Sequence, residues 1–124
     1  MFSLWLSIEP HREEVRLSLA RSLQGTVLRA RLPSPTNPEA LRLLLEALVT
    51  WFGQPLCAVL DADSEDVRRR PEFWSRLVGI DESPRVVVEW VSVPTVRRKD
   101  SFLKEVPPDR RARQLIGFAA SGYR

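Results

Sequence analysis

Asp61 and Asp63 flank Ala62 directly after the apolar run Leu56-Cys57-Ala58-Val59-Leu60. A continuous run of that kind reads as a central strand, buried on both faces and usually parallel to a neighbour. If the strand continues through Asp63, the two carboxylates lie two residues apart and point the same way. Open α/β sheets bind ligands beyond the carboxyl ends of such strands, so this is an edge where chemistry is expected. Aspartates there also suit helix capping. Glu9 ends an earlier apolar run, Leu4-Trp5-Leu6-Ser7-Ile8, and Asp109 follows Pro107-Pro108 in an N-cap setting.

A second group of residues is cationic. Residues 97–124 hold Arg97, Arg98, Lys99, Lys104, Arg110, Arg111, Arg113 and Arg124 against Asp100, Glu105 and Asp109. The rest of the chain carries 11 basic and 13 acidic side chains. A basic end on a mildly acidic body is the electrostatic footprint of a polyanion binder, DNA or RNA. The same charges also fit a solvated helix whose arginine stems cover apolar surface.

Composition excludes several other chemistries. The chain has 124 residues, net charge +3 and 44% hydrophobic residues, a globular composition with room for a core. One cysteine, Cys57, permits no intrachain disulfide, and with one histidine, His11, it cannot make a Cys/His zinc site. Cys57 lies mid-strand and reads as core packing, while His11 sits in a turn with no evident partner. No P-loop occurs, and Ser7-Ile8-Glu9-Pro10-His11-Arg12 holds no glycine with which backbone donors could wrap a phosphate. No secretory leader or membrane span is legible, so a soluble cytoplasmic protein is expected.

The strands and helices that carry these groups follow from the residue pattern along the chain. Residues 3–9 form a strand ended by Pro10, and 14–21 alternate Val15, Leu17 and Leu19 against Arg16, Ser18 and Ala20. After a Gln24-Gly25 turn, Thr26 to Leu32 alternate again, which completes a three-stranded antiparallel meander. Asn37 is the expected N-cap of a helix from Pro38 to Phe52, with Leu41, Leu44, Leu45, Leu48 and Phe52 as its apolar stripe and Gly53 as its stop. The strand at 56–60 follows, then a short helical or irregular stretch from Glu65 to Arg68, and a helix from Pro71 to Gly79. Residues 85–93 are the strongest strand. The last helix runs from Arg110 to about Ala120, with Ala112, Leu115, Ile116 and Ala119 inward. Trp5, Trp51, Trp74 and Trp90 all fall at core-like positions, although Trp90 alternates with Val91 and one of the two is expected outside. The whole chain, 1–124, reads as one α/β domain ending in a basic helical segment, 97–124.

The order β-β-β-α-β-α-β-α places strand four beside strand one, with helices on both faces. At that point the chain resembles the RNase H-like superfamily, which includes ribonuclease H, Holliday-junction resolvases and many transposases. The segment Asp109-Arg110-Arg111-Ala112-Arg113-Gln114-Leu115 is similar to the Asp-rich helix of DEDD transposases, although the second Asp of that pattern is absent here. The resemblance implies an acidic residue on strand one, Glu9, beside one after strand four, Asp61 or Asp63, with Asp109 as a third. These four would hold Mg²⁺ or Mn²⁺ and carry phosphodiester chemistry, a role that suits hard oxygen donors. Glu9 stands where the family has Asp. Two functions follow: metal-dependent processing of nucleic acid, as in a nuclease, resolvase or transposase, or a catalytically inactive domain binding nucleic acid or protein. The second allows a homodimer through the strand at Val86–Val93.

Overall fold

The computed structural model describes residues 3–21, 26–34, 37–78 and 85–92, with 112, 115–117 and 119 in the C-terminal part. Five strands, β1 (Leu4–Pro10), β2 (Glu14–Arg21), β3 (Thr26–Pro33), β4 (Leu56–Asp61) and β5 (Val86–Val91), form one sheet in the order β3-β2-β1-β4-β5. The meander β1-β2-β3 is antiparallel, while β4 runs parallel to both β1 and β5. The mixed α/β class, and strand four beside strand one, are as the sequence implies. This is RNase H-like topology.

The helix between β3 and β4 shows why the sequence folds as it does. In α1 (Pro38–Phe52), Asn37 is the N-cap, and its Oδ1 accepts a hydrogen bond from the Ala40 amide at 2.9 Å. Gly53 closes the helix at φ 66°, a left-handed conformation that costs a side-chain-bearing residue about 1 kcal/mol. Its N–H donates to the Val49 carbonyl at 2.8 Å. Leu41, Leu45 and Val49 are buried, with Leu44, Leu48 and Phe52 packed partly against the same core.

The connection from β4 to β5 is helical from Glu65, one of the two alternatives expected there, and its second helix, expected from Pro71 to Gly79, ends at Ser75. It holds two short helices, α2 (Glu65–Arg69) and α3 (Pro71–Ser75), broken at Arg70. Pro71 explains the break, because a proline disfavours helical geometry in the residue before it. Gly79 itself and the turn at Gln24-Gly25 lie outside the described residues.

Side chains alternate between two cores, one on each face of the sheet. One face carries Leu4, Leu6, Ile8, Leu17, Leu19, Leu56, Ala58 and Leu60 under α1, α2 and α3. The other carries Trp5, Ala20, Cys57, Val59 and Val91 under the helical residues Leu115, Ile116 and Ala119. Ala112 is also helical and buried, so the described part of the last helix turns inward the side the sequence implies. Trp5 and Trp74 are core residues, and Trp90 is outside while Val91 is inside. Trp51 corrects the expectation: it is 83% exposed. It falls off the stripe formed by Leu41, Leu45 and Val49, and its helix position outweighs its apolar character.

No described helix is long and apolar enough to cross a membrane.

Candidate functional site

Glu9 and Asp61 lie at the carboxyl ends of the adjacent strands β1 and β4. The parallel register pairs Ile8 with Leu60. One step further brings Glu9 level with Asp61 on strands about 4.8 Å apart. Both project to the face that carries Trp5, Cys57 and Val59, since side chains two apart share a face. They are 4% and 5% exposed, respectively. Burial of two neighbouring carboxylates is costly unless positive charge or donors surround them. Glu9 is also the direct antiparallel partner of Arg16 on β2.

Asp63 has a different setting. The strand ends at Asp61 and the chain turns, so the expected alternation does not reach Asp63. The Asp63 amide donates to Asp61 Oδ1 at 3.0 Å, which fixes that turn. The Asp63 carboxylate accepts from Ser92 Oγ at 3.0 Å and lies 3.6 Å from Arg68. It thereby ties the end of β4 to the end of β5 and to Arg68 in the last turn of α2. Of the two residues the sequence offers as the cap of α2, Ser64 and Asp63, Ser64 holds the N-cap position, without a side-chain hydrogen bond to the helix. Asp109, expected as the third carboxylate, lies outside the described residues, as do Arg97, Arg98, Lys99, Lys104, Arg110, Arg111 and Arg113. Among the described residues, no group of three or more His, Cys, Asp or Glu side chains is arranged to hold a metal ion.

His11 follows β1 and its amide donates to the Glu14 carbonyl at 2.8 Å. Burial, assisted by Arg16, lowers the pKa of its imidazole, against the opposing pull of Glu14, Asp61 and Glu65. Its buried Nε2 makes no hydrogen bond among the described residues. Cys57 is buried mid-strand, as expected of a packing residue.

One acidic residue the sequence did not single out is Asp66. It is fully buried, and its carboxylate accepts from Arg69, from Arg70 at 2.8 Å and from the Trp74 indole at 2.9 Å. Burial pushes its pKa up, but the hydrogen bonds from Arg70, Arg69 and Trp74 together hold it below the usual carboxylate range. Arg70 also donates to Ser34 Oγ and stacks 4.2 Å from the Phe73 ring centre. This cluster locks α2 to α3 and serves structure.

A further set the sequence reading missed is cationic. Arg16 on β2 is paired with Arg31 on β3, and Ser18 with Arg29. The three arginines lie on the face that carries Glu9 and Asp61. The signal was present in the alternation Arg29-Ala30-Arg31, but only the β2–β3 register turns it into a surface.

No family model matches the chain, and no curated protein matches it. Among solved structures, the chain is similar to a foamy viral protease-reverse transcriptase in complex with RNA/DNA hybrid, at 14% identity and a TM-score of 0.46. The match covers 90% of this chain and 16% of that one.

Proposed function

We propose that this chain is a nucleic-acid-processing domain of RNase H-like topology whose acidic edge, Glu9 and Asp61, takes a divalent cation. The observation that supports the reading is the parallel pairing of Ile8 with Leu60, one step before the buried Glu9 and Asp61 on adjacent strands. The donor set fits the ion: Mg²⁺ and Mn²⁺ favour oxygen ligands, and Mg²⁺ commonly takes one or two carboxylates, completing its shell with water and substrate phosphates. Glu9 and Asp61 would hold it, with Asp109 proposed as a third donor. Bound there, the ion would supply Lewis acidity toward a phosphodiester and lower the pKa of a coordinated water. The chain's own contribution is to fix both carboxylates on rigid strands. The Asp63 amide hydrogen bond holds Asp61 Oδ1 in place.

A second reading, a non-catalytic nucleic-acid-binding module, is favoured by the deep burial of both carboxylates and by the family's Asp being Glu9 here. Calorimetric titration with Mg²⁺ and Mn²⁺ separates the two. Saturable binding in the wild type that Asp61→Asn abolishes supports the metal-dependent reading, and cleavage of branched and hybrid substrates then tests the chemistry. No binding of either ion sinks it and leaves the binding module.

A further inference from the structure

Three arginines share one face of the β2–β3 half of the sheet, and a groove opens among them. Arg16 faces Arg31 across the strand pair, and Arg29 faces Ser18. The groove, about 290 Å³, is lined by Arg16, Leu17, Ser18, Arg29, Ala30 and Arg31. Half of its lining residues are cationic and none is acidic. Arg29 and Arg31 are exposed, whereas Ser18 is buried.

Glu14 borders this groove and organises it. Its Oε2 accepts from Arg16 Nε at 2.8 Å and lies 3.8 Å from Arg31 Nε. One carboxylate therefore serves two guanidiniums. Each guanidinium has five N–H donors, so pairing with Glu14 leaves most of them for another acceptor. The acceptor that matches several planar donor forks in a row is a series of phosphate oxygens, which arginine binds in bidentate fashion.

The row of partners gives the groove a direction. Arg31, Arg16 and Glu9 lie opposite one another across β3, β2 and β1, and the next strand places Asp61 level with Glu9. Cationic and acidic halves therefore occupy one line across one sheet face. A polyanion seated on the arginines is led toward the two carboxylates.

We infer that the Arg16–Arg29–Arg31 groove binds the phosphodiester backbone of a nucleic acid and leads it to the Glu9–Asp61 edge. This rests on the nucleic-acid reading above and names where the substrate's backbone sits. Interactions of this class set position and affinity without reading sequence. Their mark is a steep loss of affinity as salt rises.

The test is fluorescence anisotropy with a labelled duplex DNA of about two helical turns and with its single strand, in EDTA, over a salt series. The variants are R29Q/R31Q, R29K/R31K and R76Q. Arg29 and Arg31 are exposed, so these changes leave the core untouched, and thermal unfolding checks that each variant is folded. Arg76 is an exposed arginine beyond α3, paired with Glu39 of α1. The double glutamine variant is expected to bind about tenfold more weakly and to flatten the log–log salt slope by about two, one for each guanidinium–phosphate pair that can no longer form. The double lysine variant keeps most of the slope, and R76Q matches the wild type. Unchanged binding by R29Q/R31Q, or an equal loss in R76Q, overturns the groove while leaving the acidic edge and its calorimetric test standing. Absence of any nucleic-acid binding by the wild type, with or without Mg²⁺, overturns both readings. Loss of DNA binding in R29Q/R31Q with Mg²⁺ binding intact supports the groove as a site separate from the metal edge.

Discussion

The indole N–H of Trp74 donates to Asp66 Oδ2 at 2.9 Å, with both residues fully buried. A carboxylate would not be stable there alone. Arg69 and Arg70 share it with the indole, so one acidic residue joins α2 to α3. Trp74→Phe keeps an aromatic ring, though a smaller one, and leaves one donor missing from a buried charge. The expected loss is about 1.5–3 kcal/mol, read from urea unfolding at neutral pH. A loss under about 0.5 kcal/mol would mean that the two arginines satisfy Asp66 by themselves.

Asp66 also makes a prediction about acid. Its pKa is lower in the folded chain than in the unfolded one, so its contribution to stability is complete above the unfolded value, about 3.9. That contribution disappears as pH falls from there through the folded value. Asp66→Asn should flatten this acid limb of the stability curve. Parallel wild-type and variant limbs below about pH 4 would assign acid sensitivity to other groups.

The ends of α1 are separately testable. Asn37→Ala removes the side-chain cap on the Ala40 amide and should cost about 1 kcal/mol. Gly53→Ala should cost about as much for a different reason, since nothing lies near an added methyl and the penalty is the left-handed backbone alone. Trp51→Gln, on the exposed face of the same helix, should change stability by less than about 0.5 kcal/mol. Chemical denaturation of the three variants orders them.

At the acidic edge, Glu9→Gln and Asp61→Asn should each remove measurable Mg²⁺ binding. Asp63→Asn should leave it within about twofold, because Asp63 is engaged with Ser92 and Arg68 at the turn. If Asp63→Asn abolishes binding and Asp61→Asn does not, the ion sits in the turn, not between the strands. Calorimetry on the three variants decides this.

What the sequence made legible follows from how local each signal is. Asn37, Pro38 and Gly53 act on their own neighbours, so the bounds of α1 could be read from residue types. The apolar run at 56–60 could only be a strand at the middle of a sheet, and it is one. Glu9 and Asp61 were nominated through a family resemblance, and their level placement depends on the β1–β4 register. Asp66 resembled any acidic residue in the first turn of a helix, and its role depends on Trp74 folding back over it. The arginine groove was hidden for the same reason: Arg16 and Arg31 are far apart until strand pairing sets them opposite. Trp51 misled because aromatic bulk suggests a core, whereas helical phase decides which way it points.

The place of β4 between β1 and β5 has a kinetic consequence. The meander can close through short turns, but the other edge of β1 waits for a strand about fifty residues later, where Ile8 meets Leu60. Until β4 arrives, Leu4, Leu6 and Ile8 have no parallel neighbour and their core is incomplete. Such distant pairing slows the search for the native state. The same docking that aligns Glu9 with Asp61 is thus a late event in folding, and a chain stalled before it exposes an apolar strand edge open to a second molecule.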